Sequence, residues 1–542
     1  MGRASNDRLS LTISTLSGDY DPQATTLANR LHDALELAGI DVELALRPHE
    51  EFYREILLDH DFDLAVYPHP IGRDPDDSYA TFHSTFGDEW GWQNPFGFYN
   101  LDVDDYLEAQ RVTVDEDRHE AIREALRRLT NEQPVVPICH PTEPRLAATD
   151  RFDGWSELHF EDRWAYLSLS RTHETEQEVR LIVTDTRPTK NLNPLAVEYR
   201  GLVPVIDLVY DSLGSYDGST VVPWLADAWE FDDGLVTVEL RSATWHDGET
   251  VTASDVAFTY EFLADTSLGN LDIASPAPIY RGRATMFEAV EAIDDSTVHF
   301  STEAGRAAVK NAFTVPVLPE HIWIERTGEE SIAGVEITEG VTEATVTDNV
   351  PPVGSGPFEY VDRTEREWLE LERVDSHFSR QASDLPEAAF ETVRFLVEPS
   401  TPGAIEAIES GAADGTVSPL DPGPIEEATL SSVVTRFDSP AQYVYVIGFN
   451  IRTEPMGNPL FRKTVAQLID KAVIVDEVFS GLASPATALL PEWTPADLEW
   501  DDGDPKHPFL GASGELDESR VRTAFDEIGY RYDGEGNLLV RN

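Results

Sequence analysis

The chain has 542 residues, too many for one hydrophobic core, so two or three lobes are expected. Hydrophobic residues make up 41% and aromatics 10%, which supplies well-packed interiors and excludes global disorder. The net charge of −61, with lysine only at Lys190, Lys310, Lys463, Lys471 and Lys506, leaves no basic stripe for phosphate, so nucleic acid is excluded as a partner.

The acidic residues run from end to end rather than in one block, which fits a surface adapted to concentrated salt better than an acidic tail for a basic partner. In such a medium the screening length falls to roughly 3 Å, and self-repulsion no longer loosens the fold. The one cysteine, Cys139, excludes an intrachain disulfide and reads as a small buried apolar residue. Residues 1–10 carry no apolar stretch, twin arginine or lipid-acceptor cysteine, and no run approaches 18 apolar residues. Neither an export signal nor a membrane span is therefore expected.

In chain order, residues 9–15 alternate at period two and predict a strand. Pro22 opens a helix with Ala24, Leu27, Ala28, Leu31, Leu35 and Ala38 on one face, closed by Gly39. Residues 40–46 alternate again, giving a β-α-β unit with a right-handed crossover. A short helix is expected over 50–58, then the strand Phe62-Asp-Leu-Ala-Val-Tyr67, a Pro/Gly/Asp loop over 68–77, and helices over 102–110 and 115–129. The apolar strand 135–139 follows, and 171–177 reads as a linker. From Val179 short strands dominate, with helical patterns at 253–264, 404–409 and 458–475. The whole is an α/β chain with two lobes.

From Val179 onward the chain resembles the front half of the family-5 extracellular solute-binding proteins, the peptide/nickel class of ABC-importer receptors. The resemblance rests on Asn193-Pro-Leu195, Val222-Pro-Trp-Leu-Ala-Asp-Ala-Trp229, the run Leu240-Arg-Ser-Ala-Thr-Trp-His-Asp-Gly248 continuing to Val256, Val353-Gly-Ser-Gly-Pro-Phe358, Glu406 to Asp414, Phe449-Asn450 and Phe461-Arg462 to Asp470, all in family order. Residues resembling the family's back half stand at the front instead: 9–42, Phe62 to Asp76, Phe98-Tyr-Asn100 with Asp105, Pro134 to Ile138, and Phe152-Asp-Gly-Trp155. The order is that of a circular permutation, or of a fusion of two partial genes, or of a gene remnant. Joining the stretch after Gly529 to Leu9 restores the ordinary order at a surface loop, where new termini are best tolerated.

The resemblance implies a two-lobed periplasmic-binding-protein-like fold (type II, large peptide-binding class), α/β with mixed sheets and a two-strand hinge. The crossings expected are 134–139 and 443–450. They make 1–138 and 451–542 two parts of one lobe and 139–450 a continuous second lobe with an extra subdomain. The implied function is capture of a small peptide or similar polar solute in the interlobe cleft, without cofactor or metal, and delivery to ABC permease subunits by a monomer at the cell surface. An intracellular ligand-sensing or interaction protein that reuses the fold is the alternative, because no export signal is seen.

The candidate ligand residues are Tyr67, His69, Ile71, Trp92, Asn193, Glu198 and Tyr199. In the family the loop aligned on Asp74-Pro75 holds a peptide's ammonium through an aspartate, and Ile71 occupies that position here. His69 reads as a ligand or metal contact, or as neither. Asp74 reads as the cap of a helix after Pro75. Glu198 matches by position a glutamate near bound peptide backbone, and Asn193 and Tyr199 share its loop, which reads equally as solvated surface. Trp90, Trp92, Phe96, Phe98 and Tyr99 either line the cleft or pack the core. His246 and Asp247 read as shaping the turn at Gly248. Elbow, metalloprotease and phosphate-loop motifs are absent from the sequence, so an enzyme is not expected.

Overall fold

The computed structural model describes residues 7–155, 162–196, 203–218, 220–329, 331–332, 335–336 and 340–541. They fall into two compact units, one made of 1–142 with 440–542 and the other of 143–439. The units part beside Thr142 and beside Ser439, so the strand Tyr443–Phe449 lies wholly inside the first unit instead of leaving it.

The first unit opens as the alternation predicts. Strand β1 (Ser10–Leu16) leads to helix α1 (Pro22–Leu37), and strand β2 (Asp41–Arg47) returns parallel to β1. Asp21 caps α1 by accepting the Ala24 N–H at 2.7 Å, and Pro22 stands where a missing N–H costs nothing. Helix α2 (His49–Arg54) runs on through a π turn to Asp59, and β3 (Leu64–Pro70) then pairs parallel with β1. Helix α3 (Asp77–Phe82) starts at Asp77 rather than directly after Pro75, and α4 (Leu101–Val112) and α5 (Asp115–Glu132) follow. Strand β4 (Val135–Ala148) is longer than the apolar run 135–139 and continues into the second unit.

The unit's sheet runs β2, β1, β3, Tyr443–Phe449, β4, with Ala483–Pro485 also bonded to β4. The late strand Tyr443–Phe449 is thus inserted antiparallel between β3 and β4. A single core joins Leu11, Ile13, Leu31 and Cys139 to Ile447, Phe461, Val465, Phe525 and Leu538. The expected helix 458–475 is two helices, Pro459–Ala466 and Lys471–Glu477, because Asp470 caps the second through the Val473 N–H.

Residues near the two ends also pair with each other. Leu9 N–H donates to Leu538 O at 2.8 Å, Val540 N–H to Asp7 O at 3.0 Å, and Arg8 faces Leu539 in an antiparallel bridge. Gly39, at φ +85°, lets the chain pass. A Cβ there would lie 2.4 Å from Gly536 O, and Gly39 O instead accepts the Leu538 N–H at 2.8 Å.

The second unit has its own mixed sheet: Phe358–Thr364, Trp368–Arg373, Thr392–Val397, Glu178–Val183, Gly415–Thr416 and the end of β4. A separate antiparallel sheet holds Ala226–Asp232, Leu235–Leu240, Thr297–Ser301 and Ala289–Ala292. Trp224, Trp245, Phe300 and Trp323 sit in the large core beneath them. The helix 253–264 falls where its pattern predicts, capped reciprocally by Thr252 and Asp255.

Candidate functional site

In open α/β sheets, sites form outside the carboxyl ends of the parallel strands. In the first unit this edge carries the end of β3 and the loop to α3. Tyr67 and His69, two apart on β3, share a face, and the Tyr67 hydroxyl lies 3.0 Å from His69 Nδ1. The His69 ring stands 6.1 Å from Trp92 and 5.8 Å from Phe96, and Tyr53 packs 5.3 Å from Trp92. Tyr67, His69 and Trp92 are 0%, 3% and 5% exposed and lie packed beneath the edge. Of the other ring residues, Phe96 and Phe98 are buried as well, Trp90 is half-buried, and Tyr99 is exposed.

Ile71 is half-buried and, like Trp493, packs against the cluster of Ile122, Leu126 and Leu490, and its N–H donates to Gln442 O at 2.9 Å. The acids that follow it turn inward. Asp76 receives Arg111 bidentately, at 2.9 Å to each oxygen, and Gln110 Nε2 at 2.7 Å. Asp74 pairs with Arg118 and accepts the Asp76 N–H at 2.8 Å. It therefore braces the loop before α3 and does not cap a helix at Pro75. Asp77 folds its carboxylate over Gly72, where a Cβ would lie 1.7 Å from Oδ2. The Arg111 guanidinium completes the network 3.5 Å above the Tyr79 ring.

Burial pushes both loop acids up and the arginines pull them down. For Asp76, Arg111 and Gln110 outweigh burial and hold it below the usual carboxylate range. Asp74 has one direct cation, Arg118, and stays above that range. On the same edge Asp21 is 9% exposed and accepts the Tyr445 hydroxyl at 3.1 and 3.2 Å. Burial, partly offset by the Ala24 N–H and by Tyr445, raises it to about 6. Burial likewise raises the Cys139 thiol, in keeping with the apolar role expected of it.

In the second unit, Asn193 is a loop brace. Its amide donates to Ala344 O at 2.7 Å and Thr347 O at 2.8 Å, and its oxygen accepts the Leu195 N–H at 2.7 Å. Glu198 and Tyr199 lie outside the described residues. Asp247 shapes the turn at Gly248, accepting the Glu249 N–H at 3.1 Å and pairing with His321 at 2.7 Å.

The buried ion networks escaped sequence reasoning: Asp74/Asp76 with Arg111 and Arg118, and Asp211 with Arg163, Trp224 and His377. Their partners stand 13 to 166 residues apart in a chain crowded with acids, and no local pattern marks them. Among the described residues, no group of three or more His, Cys, Asp or Glu is placed to hold a metal ion, and no helix is long and apolar enough to cross a membrane.

The sequence model of bacterial extracellular solute-binding proteins, family 5 (middle) matches residues 220–540. The chain belongs to this family of solute-binding proteins. Among its relatives, the oligopeptide-binding protein AppA of Bacillus subtilis is 26% identical over 316 residues, 57% of this chain and 51% of the relative. The glutathione-binding protein GsiB of Pectobacterium atrosepticum is 25% identical over 332 residues, 59% of this chain and 55% of the relative. The chain thus spans about half the length of the curated relatives it matches. Among solved structures, the Bacillus subtilis AppA complex with a nonapeptide aligns with a TM-score of 0.48 at 19% identity, over 67% of this chain and 66% of that one.

Proposed function

We propose that the protein captures a small peptide or similar polar solute and delivers it to the permease of an ABC importer, acting as a binding protein and not as an enzyme. The observation that carries this reading is family membership across 220–540. The names of the relatives, oligopeptide-binding and glutathione-binding, favour a peptide-like cargo. The two units correspond in this reading to the two lobes of the family, and the protein works as a monomer at the cell surface, in concentrated salt. The spread of acids, the rarity of lysine and a net charge of −61 support the saline setting.

The chain is also read as circularly permuted. Segments resembling the family's back half precede those resembling its front half. The antiparallel bridge between Arg8 and Leu539 supports this, because a short link there makes an ordinary hairpin. A variant so linked, and reopened in the polar stretch 171–177, is expected to fold and bind as the natural order does.

The test of function is native mass spectrometry of the full chain purified in concentrated KCl. Bound short peptides or a comparable polar solute, displaced by an added peptide pool, support the reading. A protein that arrives empty and retains nothing from the pool refutes it.

A further inference from the structure

We propose that, beyond holding a cargo, the first unit carries an acid-released strap: residues 486–510 are held down on β4 and α5 by His140 and His507, and come away as the two rings take up protons. The stretch contains no strand and a single helical turn, Pro491–Trp493, yet Ala486 to Leu490 and Leu498 are buried. Backbone bonds tie its ends, Ala486 N–H to Ile138 O and Leu510 N–H to Gln467 O, each at 2.9 Å. Between them the hold passes through side chains. Lys471 Nζ donates to Ala486 O at 2.8 Å and pairs with Asp504 at 2.7 Å. His140 Nε2–H donates to Ala488 O at 3.1 Å, and His507 Nε2–H donates to Thr130 O at 3.0 Å. The exposed pair of Arg127 with Asp497, at 2.9 Å, adds little in concentrated salt.

A carbonyl oxygen only accepts, so both rings donate from Nε2, and in the neutral tautomer Nδ1 is bare. At His140 that nitrogen is buried with no hydrogen-bond partner, so a proton arriving there would meet no acceptor. Burial pushes His140 down from 6.5 to about 4, and the Lys471 ammonium pushes the same way, against the bond to Ala488. Burial lowers His507 as well; Thr130 and Asp504 oppose it, and Lys471 and Lys463 add to it. A ring lifted into water titrates at its ordinary value. The strap is therefore held in full above pH 6.5, and its hold weakens as the pH falls from 6.5 towards 4. From pH 8 to pH 5, His140 alone moves the balance towards the open strap roughly 30-fold, and His507 adds to that. Asp21 works in the opposite sense, since acid favours its folded form, so the core of the unit gains stability while the strap loses it. Leu490 belongs to the cluster with Ile122 and Leu126 against which Ile71 packs, so opening the strap uncovers Ile71.

The experiment follows hydrogen exchange of the full chain in concentrated KCl at pH 8 and pH 5, with the intrinsic pH dependence of exchange divided out. The Ala486, Leu498 and Leu510 amides are expected to lose protection about 30-fold or more at pH 5, while the amides of β1 and β3 keep theirs. Unchanged protection of the strap, or loss at the strap and at β1 together, overturns the proposal. His140→Gln keeps a donor for Ala488 O and does not titrate, so the acid loss should shrink by about 30-fold, to the share of His507. An undiminished loss in that variant overturns the assignment to His140. Should the variant not fold, the His140 ring resonance of the native chain decides: titration at about 4 supports the strap, and titration at the ordinary 6.5 overturns it.

Discussion

Replacing Asp21 by asparagine should stabilise the protein at alkaline pH and do nothing in acid. Asp21 is buried between α1 and the strand Tyr443–Phe449, and burial lifts its carboxyl from 3.8 to about 6. A group whose folded pKa lies above its unfolded value favours folding by protonation. Its contribution is fully present below pH 3.8 and is lost as the pH rises through 6. Roughly two pH units correspond to about 3 kcal/mol lost by pH 8. Asparagine keeps the cap on Ala24 and removes the charge, and its amide can donate to the Tyr445 oxygen. For a unit of this size, Asp21→Asn should raise the melting temperature of the first unit by roughly 5–10 °C at pH 8 and by almost nothing at pH 4. The assay is calorimetric unfolding of both proteins at matched high salt, where effects of the global charge cancel in the difference. Equal melting at pH 8, or the same gain at both pH values, refutes the reasoning.

Lys471, buried with its Nζ 2.7 Å from Asp504 and 2.8 Å from Ala486 O, should tolerate loss of the pair better than loss of one member. Lys471→Met is expected to cost about 3–5 kcal/mol and Lys471→Met with Asp504→Leu much less, as read by urea unfolding. Gly354→Ala places a Cβ 1.9 Å from Val209 O and should abolish soluble expression, whereas Gly423→Ala, with open space around it, should not. Arg111→Met frees Asp76 within a buried loop, and hydrogen exchange over residues 71–79 should quicken at least tenfold while exchange in the second unit stays unchanged. Lowering the salt from molar to millimolar KCl should lower the melting temperature, since a net charge of −61 then repels itself unscreened, and a rise would contradict the saline reading.

Much of the architecture is visible in the residues alone. Period-two alternation and an apolar helical face gave β1, α1 and β2 to within a residue or two, and the 253–264 helix ends where its pattern ends. The helix expected over 458–475 breaks because Asp470 caps a second helix in the middle of an apolar run, a local hydrogen bond that outweighs periodicity. The site was less legible. Ile71 is visible in the sequence as an apolar residue in a loop of acids, whereas the hydrogen bonds of the Asn193 side chain to Ala344 O and Thr347 O join distant stretches that no local pattern marks. Likewise the inward turn of Asp74 and Asp76 depends on Arg118 and Arg111, which lie 44 and 35 residues further on. Tertiary geometry alone brings them together.

Native-state hydrogen exchange tests most directly whether the early and late segments share one fold. If residues 1–142 and 440–542 make a single cooperative unit, the protected amides of β1, β3 and Tyr443–Phe449 must open together, with one free energy and one denaturant dependence. Exchange of Tyr443–Phe449 at a free energy of its own, while β1 and β3 remain closed, would contradict the account.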